Sequence, residues 1–380
     1  MGETIKHENY DASFSSLPVL PLEVMEEILI RLPIKSLTRF KCVCRSWRSL
    51  ISEPRFVLRH AWIWEAVKAD GAFVGIAKNI RCLEQQYGVM TTSRYHLNSC
   101  CVHSLYNDSI VDVAVHDHEL LGREYYHIVG TCHGLICFRT DDSLYLWNPV
   151  LKLHVRLPSS DLETRQGDHV TYGFGYDHCN GDFKVVTLLQ PRHEIKKTEA
   201  IVYSVKFRHW MRRSTRECCF PSGVVLEKSK PGIHIKGTLN WASAHSSTIV
   251  SYDLTNDTFR ELSRPVCCTK GCFTLTLGEY RGCLSMVCYC NGSNADVWVT
   301  KEFGEGESWM KLVSIPGLTE YIRPLWISTE RECEVLLEFR SGLALYNRNN
   351  GAFTYPLASK LTSCCNSVVY VKTLVSPNLS

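Results

Sequence analysis

A metal or catalytic site needs histidine, cysteine or acidic side chains at a suitable spacing. The densest such group in this sequence is His116-Asp117-His118-Glu119. On a β-strand, His116 and His118 would point to the same face, where both could bind one metal ion. No further ligands follow at a characteristic spacing. The segment is therefore more typical of a solvated turn or strand end, and we predict no metal ion there.

Cys132-His133 contains the two residue types of a thiol–imidazole pair. Neighbouring residues on a strand point to opposite faces, so we expect these two side chains to lie apart. Gly134 follows directly, which favours a structural turn at the beginning of a repeat. We therefore predict no nucleophilic chemistry at this position.

Cysteine is abundant, with 19 residues. Several occur as adjacent pairs, namely Cys100–Cys101, Cys218–Cys219, Cys267–Cys268 and Cys364–Cys365. Such pairs cannot bind one ion together on a strand, and the C-x-x-C spacing of zinc sites does not occur. The polar N-terminus, Met1 to Asp11, does not resemble a secretory signal, so we expect a reducing compartment and no disulfide framework. The cysteines are predicted to be buried free thiols, without metal.

Motifs for nucleotide and acyl-transfer chemistry are incomplete. Gly173-Phe174-Gly175 begins like a dinucleotide-binding loop, but His178 occupies the position of the third glycine. Gly304 and Gly306 fail in the same way, with Trp309 at that position. The sequence also lacks a phosphate-binding Gly-Lys-Ser/Thr loop and a Gly-x-Ser-x-Gly elbow. We therefore predict no catalytic residues and no cofactor.

A basic and aromatic run, Arg208-His209-Trp210-Met211-Arg212-Arg213, continues to Arg216 and resembles a nucleic-acid contact. The formal net charge of +3 is nevertheless close to balanced, whereas nucleic-acid and membrane binding favour clustered basic charge. We interpret the run as a strand with a Trp-Arg turn and predict no nucleic-acid partner.

The chain has 380 residues, which suits a small module and a larger domain. Hydrophobic residues make up 45% and charged residues 21%, as in ordinary globular proteins. The sequence contains no apolar run of about 18 residues, so no membrane span is predicted. Residues 1–16 are predicted to be disordered.

Residues 17–60 carry a helical pattern. Leu20-Pro21 is typical of a helix start, and apolar residues recur at helical spacing until Pro33 ends the helix. Two further short helices are predicted before Pro54, the second containing Leu37 and the third Trp47. A module of about 40 residues is too small for a self-sufficient core. Its remaining apolar surface indicates a partner.

From about Tyr95 the pattern changes to short β-branched and aromatic runs separated by turns. Examples are Leu144–Trp147, Ile201–Ser204, Ile249–Tyr252, Val297–Val299 and Leu343–Tyr346. Several are preceded by a glycine segment that begins at Gly134, Gly237 or Gly282. The units recur at the spacing of propeller blades.

Six blades are favoured over five or seven, and a two-sheet sandwich is the alternative. Five units are visible, and residues 111–129 together with Val368–Val371 could supply a sixth. Joining both chain ends in one blade would close the ring and remove open sheet edges.

The order of residues in the helical segment resembles the F-box. The run LPLEVMEEILIRLPIKSLTRFKCVCRSWRSLISEPRFVLRH has the opening Leu-Pro, Ile-Leu-x-x-Leu-Pro, Leu-x-x-Phe, Val-Cys-x-x-Trp and terminal Pro-x-Phe. This resemblance implies binding to a Skp-type adaptor, which docks on a cullin scaffold with a RING subunit. The implied contacts, or their direct supports, are Leu20, Pro21, Ile28, Leu29, Leu32, Pro33, Leu37, Val43 and Trp47.

The remainder resembles the plant F-box-associated domain, often described as kelch-like. The resemblance rests on GTCHGLICF, LYLWNPV, YGFGYD with DFKVVTLL, GTLNWA with IVSYDL, and DVWVTKEFG with SWMKLVSI. It spans about residues 95–375 and implies a plant source and substrate recognition. Such families include S-locus F-box proteins and relatives that limit immune-receptor levels, and the motifs do not choose between them.

The sequence thus predicts an α+β multidomain chain in which a three-helix F-box precedes an all-β domain, a closed β-propeller of about six blades. The predicted boundaries are 1–16, 17–60 for the F-box, 61–94 for a connecting segment and 95–375 for the β domain. The predicted function is that of the non-catalytic substrate receptor of a Skp–cullin–F-box ubiquitin ligase in the cytoplasm or nucleus. The alternatives are a binding module outside a ligase and a propeller enzyme such as a metal oxidase.

Overall fold

The computed structural model describes the greater part of the chain. The described residues are 20–67, 72–85, 88–101, 114–116, 127–160, 167–192, 198–213, 219–221, 224–227, 230–244, 248–265, 275–290, 294–300, 309–316, 322–328, 334–339, 342–355 and 364–378. The predicted disordered segment 1–16 lies outside them. The chain divides into two compact units, Met1–Phe56 and Val57–Ser380. No helix among the described residues is both long and apolar enough to cross a membrane.

Four helices occupy the N-terminal part of the chain, α1 Leu22–Leu29, α2 Ile34–Phe40, α3 Arg45–Ser52 and α4 Pro54–Val67. Pro21 and Pro33 stand directly before α1 and α2, where a missing backbone N–H costs nothing. The three predicted helices are confirmed, but the prediction missed a fourth. Pro54 does follow the third helix, but it also begins a fourth, because proline is well tolerated at the first helical position.

The rest of the described chain is β-structure, and it begins at Ala72 rather than near Tyr95. The predicted connecting segment 61–94 is therefore largely the end of α4 and the first two strands. The strands are β1 Ala72–Gln85, β2 Gly88–Cys101, β3 Ala114–His116, β4 His127–Cys132, β5 Leu135–Arg139, β6 Leu144–Asn148, β7 Leu153–Arg156, β8 His169–Asp177, β9 Asp182–Gln190, β10 Glu199–Ser204, β11 His209–Arg213, β12 Ile233–Ile235, β13 Thr238–Ala242, β14 Thr248–Asp253, β15 Thr258–Ser263, β16 Leu275–Tyr280, β17 Cys283–Cys290, β18 Asn294–Thr300, β19 Trp309–Pro316, β20 Ile322–Ile327, β21 Glu334–Phe339, β22 Gly342–Asn347, β23 Phe353–Thr354 and β24 Cys364–Tyr370.

These strands form six four-stranded sheets among the described residues. Five sheets are blades built from four consecutive strands, β4–β7, β8–β11, β12–β15, β16–β19 and β20–β23. The sixth combines the last strand with the first three, in the order β24-β1-β2-β3. The first strand of each sheet contacts that of the next, from β4 through β8, β12, β16 and β20 to β24 and back to β4. The predicted β-propeller is confirmed, and the sandwich is excluded.

Tight turns connect the inner two strands of several blades. His133-Gly134, Lys236-Gly237 and Arg281-Gly282 all have positive φ at both residues, as the two-residue turns favoured in β-hairpins require. At Gly134 a side chain is also excluded by space, since a Cβ would lie 2.3 Å from the Thr373 hydroxyl oxygen. The glycine segments predicted before these strands therefore mark hairpins.

A buried ion pair connects the second and third blades. Lys184 Nζ lies 2.9 Å from Asp177 Oδ2 and also donates to the backbone oxygen of Leu254 in the third blade. Thr255, from the same turn, donates to Asp177 Oδ1. Burial opposes ionisation of Asp177, but hydrogen bonds from Asn180, Lys184 and Thr255 outweigh it and hold its pKa at about 2. Ionised Asp177 therefore stabilises the fold above its unfolded pKa of about 3.9, and this contribution is lost as the pH falls toward 2.

Breaking this pair should be costly. Asp177→Asn leaves the Lys184 side chain, which is 7% exposed, without its close carboxylate. We expect the free energy of unfolding at pH 7 to fall by about 3–5 kcal/mol in urea titrations. The matched control is Arg212→Gln, which breaks an exposed 2.9 Å pair with Glu199 and should cost less than about 1 kcal/mol. Equal effects of the two changes would contradict the structural role of Asp177.

Closure of the ring depends on β24. It pairs antiparallel with β1, from Ala72↔Tyr370 to Ala77↔Cys364. Tyr370 packs in one cluster with Ile128 and Trp147 of the first blade. On the other side, Glu338 of the fifth blade accepts a 2.6 Å hydrogen bond from the Ser367 backbone N–H. The prediction that both chain ends share one sheet is confirmed.

The segment after β24 is also held in place. Thr373 and Val375 are fully buried, and their backbone oxygens both accept hydrogen bonds from Asn148 Nδ2 at 3.0 and 2.7 Å. Thr373 Oγ1 donates to the backbone oxygen of His133. This segment therefore binds the first blade by hydrogen bonds as well as by burial.

We expect truncation before Asn366 to destabilise the whole β domain cooperatively, because it removes most of β24 and exposes a sheet edge. Removal of only residues 376–380 should have a much smaller effect. A finer test is Asn148→Ala, which leaves buried carbonyls unpaired and should cost about 1–3 kcal/mol. Asn349→Ala, in an exposed turn, is its control. Thermal unfolding of the truncation before Asn366 at the same temperature as the full chain would contradict ring closure.

Candidate interaction surfaces

The first unit leaves large apolar side chains exposed to solvent. We define its apolar surface as Leu20, Leu22, Val24, Ile28 and Val43, which are 54%, 58%, 44%, 49% and 62% exposed. Residues four apart lie on one helix face, so Val24 and Ile28 are neighbours on α1, and Leu20 precedes them at the same spacing. Soluble proteins seldom leave such a group uncovered, and this one is therefore suited to a partner.

The nine residues implied by the F-box resemblance fall into three groups. Leu20, Pro21, Ile28, Pro33 and Val43 are exposed, Leu32 and Trp47 are half-buried, and Leu29 and Leu37 are buried. The exposed residues are available to a partner, whereas the buried ones support the surface from beneath. A role in adaptor binding stays a prediction for all nine. Leu22 and Val24 are exposed members of the surface that lie outside these nine residues.

Trp47 shows how the half-buried group supports the surface. Its ring packs against Phe40 at a centroid distance of 5.2 Å, which joins α3 to α2.

Cys44, next to Val43, is an exposed thiol at the N-terminal end of α3. Its Sγ lies 3.1 Å from Ser46 Oγ. Hydrogen bonds from Ser46 and the Trp47 backbone lower the pKa of the Cys44 thiol. This thiol is therefore a chemical reporter at the edge of the apolar surface.

The second unit contains a cavity of about 350 Å³ along the propeller axis. Its wall takes an apolar side chain from the innermost strand of every sheet, namely Ile128, Phe174, Ile235, Leu277, Trp326 and Tyr370. Charged and polar residues, including Glu65, His178 and Lys236, line the same cavity. The volume falls in the range of small-ligand pockets.

A cluster of titratable side chains lies where α4 meets the first blade within this unit. The ligand-type atoms of Glu65, Cys132 and His133 all lie within 4.8 Å of one another. Glu65 Oε2 is 2.5 Å from His133 Nδ1, and the His133 backbone N–H donates to the same carboxylate. The prediction that Cys132 and His133 lie apart was wrong. His133 has φ of 48°, so it sits in a turn rather than an extended strand, and strand alternation does not apply.

His234 of the third blade supports this cluster. Its Nε2 accepts hydrogen bonds from the backbone N–H groups of Tyr176 and Gly237, both at 3.3 Å. Burial lowers the pKa of His234 to about 4. The ring is therefore neutral with its proton on Nδ1, which lies 3.5 Å from Cys132 Sγ and donates to it. No sequence signal linked His234 to Cys132, because the two are joined only by the packing of separate blades.

Two other sequence candidates have different outcomes. His116 ends β3, and the rest of its cluster lies outside the described residues, so the structure does not test a metal there.

The basic run forms strand β11, as predicted, but its turn comes before the strand and not after it. Arg208 lies in this turn, with φ of 56°. Arg212 and Arg213 pair with Glu199 and Asp257, at 2.9 and 2.5 Å. The Arg212 pair therefore lies within the second blade, whereas the Arg213 pair connects the second blade to the third.

Two family models match the chain. An F-box domain matches residues 17–59, and an F-box associated beta propeller domain matches residues 86–338. An F-box/kelch-repeat protein of Arabidopsis thaliana is 60% identical over 94% of this chain and 96% of its own length. The Arabidopsis thaliana F-box protein CPR1 is 25% identical over 86% of this chain and 81% of its own length.

A solved structure, AztD of Citrobacter koseri, aligns over 79% of this chain and 98% of its own, at 10% identity and a TM-score of 0.41. That likeness is too small to bear on function. The F-box match and the propeller-domain match cover the two units in the order in which they occur along the chain. This chain belongs to the plant F-box proteins that carry an F-box-associated β-propeller domain.

Proposed function

We propose that this chain is the substrate receptor of a Skp–cullin–F-box ubiquitin ligase. In this function the F-box binds a Skp-type adaptor, and through it a cullin and a RING subunit, while the propeller binds the protein to be ubiquitinated. The observation that carries the proposal is the apolar surface of the first unit. It lies within the F-box match and includes three of the residues that the motif implies, Leu20, Ile28 and Val43.

The exposed apolar side chains of this surface are of the kind that anchor a protein interface. A few buried apolar anchors usually carry most of the binding energy, about 2 kcal/mol or more each. Leu20 and Ile28, each about half exposed in the free chain, would be such anchors. Leu29 and Leu37, already buried, would contribute by keeping the helices in place.

The receptor would act by proximity, holding a substrate near a ubiquitin-charged enzyme, and would need no catalytic residue of its own. The rigid ring of blades suits this task because its connecting loops can vary without loss of the scaffold. The compartment would be the cytoplasm, the nucleus or both.

We expect Leu20→Ala with Ile28→Ala to abolish capture of a Skp-type adaptor. Two anchors at about 2 kcal/mol each correspond to a loss of roughly 10³-fold in affinity. The matched control is Leu153→Ala with Met310→Ala, which removes side chains of similar exposure, 45% and 42%, from outer strands of the propeller. Affinity is measured by titration of the purified adaptor. Unchanged capture by the Leu20→Ala, Ile28→Ala variant would overturn the proposal.

Cys44 provides an independent footprint of the same interface. Adaptor binding should protect its exposed thiol from alkylation, because Val43 beside it belongs to the apolar surface. Cys179, an exposed thiol of the propeller, should react at the same rate with and without adaptor. Labelling is followed residue by residue by mass spectrometry. Equal reactivity of Cys44 in the free and adaptor-bound chain would place the adaptor elsewhere.

The ligase function and a binding module outside a ligase can be separated in cells. The wild-type chain should co-purify with cullin, and the Leu20→Ala, Ile28→Ala variant should not. Proteins held by the propeller should accumulate on that variant, since they are bound but not degraded. If wild-type chain captured adaptor without cullin, the module outside a ligase would be favoured.

A further inference from the structure

The cluster of Glu65, Cys132 and His133 is not used in the proposed function. Cys132 and His133 are buried, and Glu65 extends from the last turns of α4 with 25% of its side chain exposed. We propose that these three side chains bind one divalent zinc ion, with the fourth coordination position directed toward the axial cavity.

The donor set matches zinc. Zinc accepts thiolate, imidazole and carboxylate ligands together and is commonly held by three protein groups when one position stays open. A thiolate from Cys132 and the carboxylate of Glu65 would neutralise the two positive charges of the ion. Charge balance matters here because an uncompensated ion is costly to bury.

The three ligand atoms lie near enough to one another for a tetrahedral site to form after a small shift. Zinc–ligand bonds of about 2.0–2.3 Å place ligand atoms about 3.3–3.7 Å apart, and the three atoms here lie within 4.8 Å of one another. Glu65 Oε2 and His133 Nδ1 are now closer together than two ligand atoms of one zinc ion would be. Zinc binding therefore requires Glu65 Oε2 to move about 1 Å away from His133 Nδ1. The present 2.5 Å contact between Glu65 Oε2 and His133 Nδ1 lacks the alignment of a hydrogen bond. The movement of Glu65 therefore breaks no hydrogen bond at His133 Nδ1.

Neighbouring groups already orient the ligands, as outer hydrogen bonds do in metal sites. His234 Nδ1–H donates to Cys132 Sγ, which favours the thiolate. The His133 backbone N–H donates to the Glu65 carboxylate at 3.2 Å. The positive φ of His133 then places its ring on the same side as Cys132. The turn at His133 and Gly134, which we predicted to be structural, therefore also brings two ligands together.

The open position has a defined environment. Glu65, His133 and His178 all line the axial cavity, and the ring of His178 lies 5.6 Å from that of His133 between centroids. A water molecule or a polar group of a bound ligand could occupy this position. The ion would join the end of α4 to the hairpin between β4 and β5, and so stabilise the second unit.

The test uses the full chain, purified under reducing conditions and loaded with one equivalent of Zn²⁺. Native mass spectrometry should show one zinc per chain, and zinc should raise the unfolding temperature. We expect Cys132→Ser and Glu65→Gln each to weaken zinc binding by at least tenfold and to abolish the thermal shift. Cys137→Ala is the control, because this buried cysteine lies in the same blade outside the cluster.

Cobalt gives a second readout that identifies the ligand. Co²⁺ bound in the same site should show a thiolate-to-metal absorption band in the wild-type chain and in Cys137→Ala, but not in Cys132→Ser. Absence of stoichiometric zinc in the wild-type chain would overturn the proposal. Full retention of zinc by both Cys132→Ser and Glu65→Gln would also overturn it, since the ion would then bind other cysteines. Glu65→Gln, a change on a partly exposed side chain, keeps the test decisive if Cys132→Ser fails to fold.

Discussion

The pairing of the last strand with the first is the interaction on which the second unit depends. β24 and β1 lie about 290 residues apart in sequence, yet Tyr370 pairs with Ala72 and packs on the first blade. Without it the first and fifth blades would each present an open face. Such long-range pairing is costly to form because a large loop must close first. Once formed, it makes the ring continuous, so the described blades support one another on both sides.

The same ring closure also creates the sites at which the second unit could bind a ligand or a metal ion. The axial cavity exists because six innermost strands surround one axis, each contributing a side chain to its wall. The Glu65, Cys132 and His133 cluster depends on the hairpin of the first blade, which Thr373 of the C-terminal segment also contacts. His234 reaches Cys132 only because the first and third blades meet near the axis. The first unit differs from the propeller because it is too small to bury all of its own apolar residues. Its candidate binding surface is therefore made of side chains that stay exposed.

Local signals in the sequence predicted much of this fold. The third strand of each visible unit was recognisable from its β-branched and aromatic residues, as in Leu144–Trp147, and glycine segments at Gly134, Gly237 and Gly282 were recognised before several of these strands. The fourth helix was missed because Pro54 was interpreted only as an end, although proline can also begin a helix. Strands β1 and β2 were missed because their composition is mixed. The cluster around Cys132 could not be predicted, because strand alternation fails at a turn and its partners come from distant segments.

Hydrogen exchange of the full chain tests ring closure most directly. Amides of β24 that face β1 should exchange as slowly as those in the innermost strands of the other blades, because all should open only when the propeller unfolds. They should also respond to denaturant with the same slope as the global transition. Fast exchange at Val368–Tyr370, while the strands of the second and third blades stay protected, would show that the chain ends open independently and would contradict the closed ring.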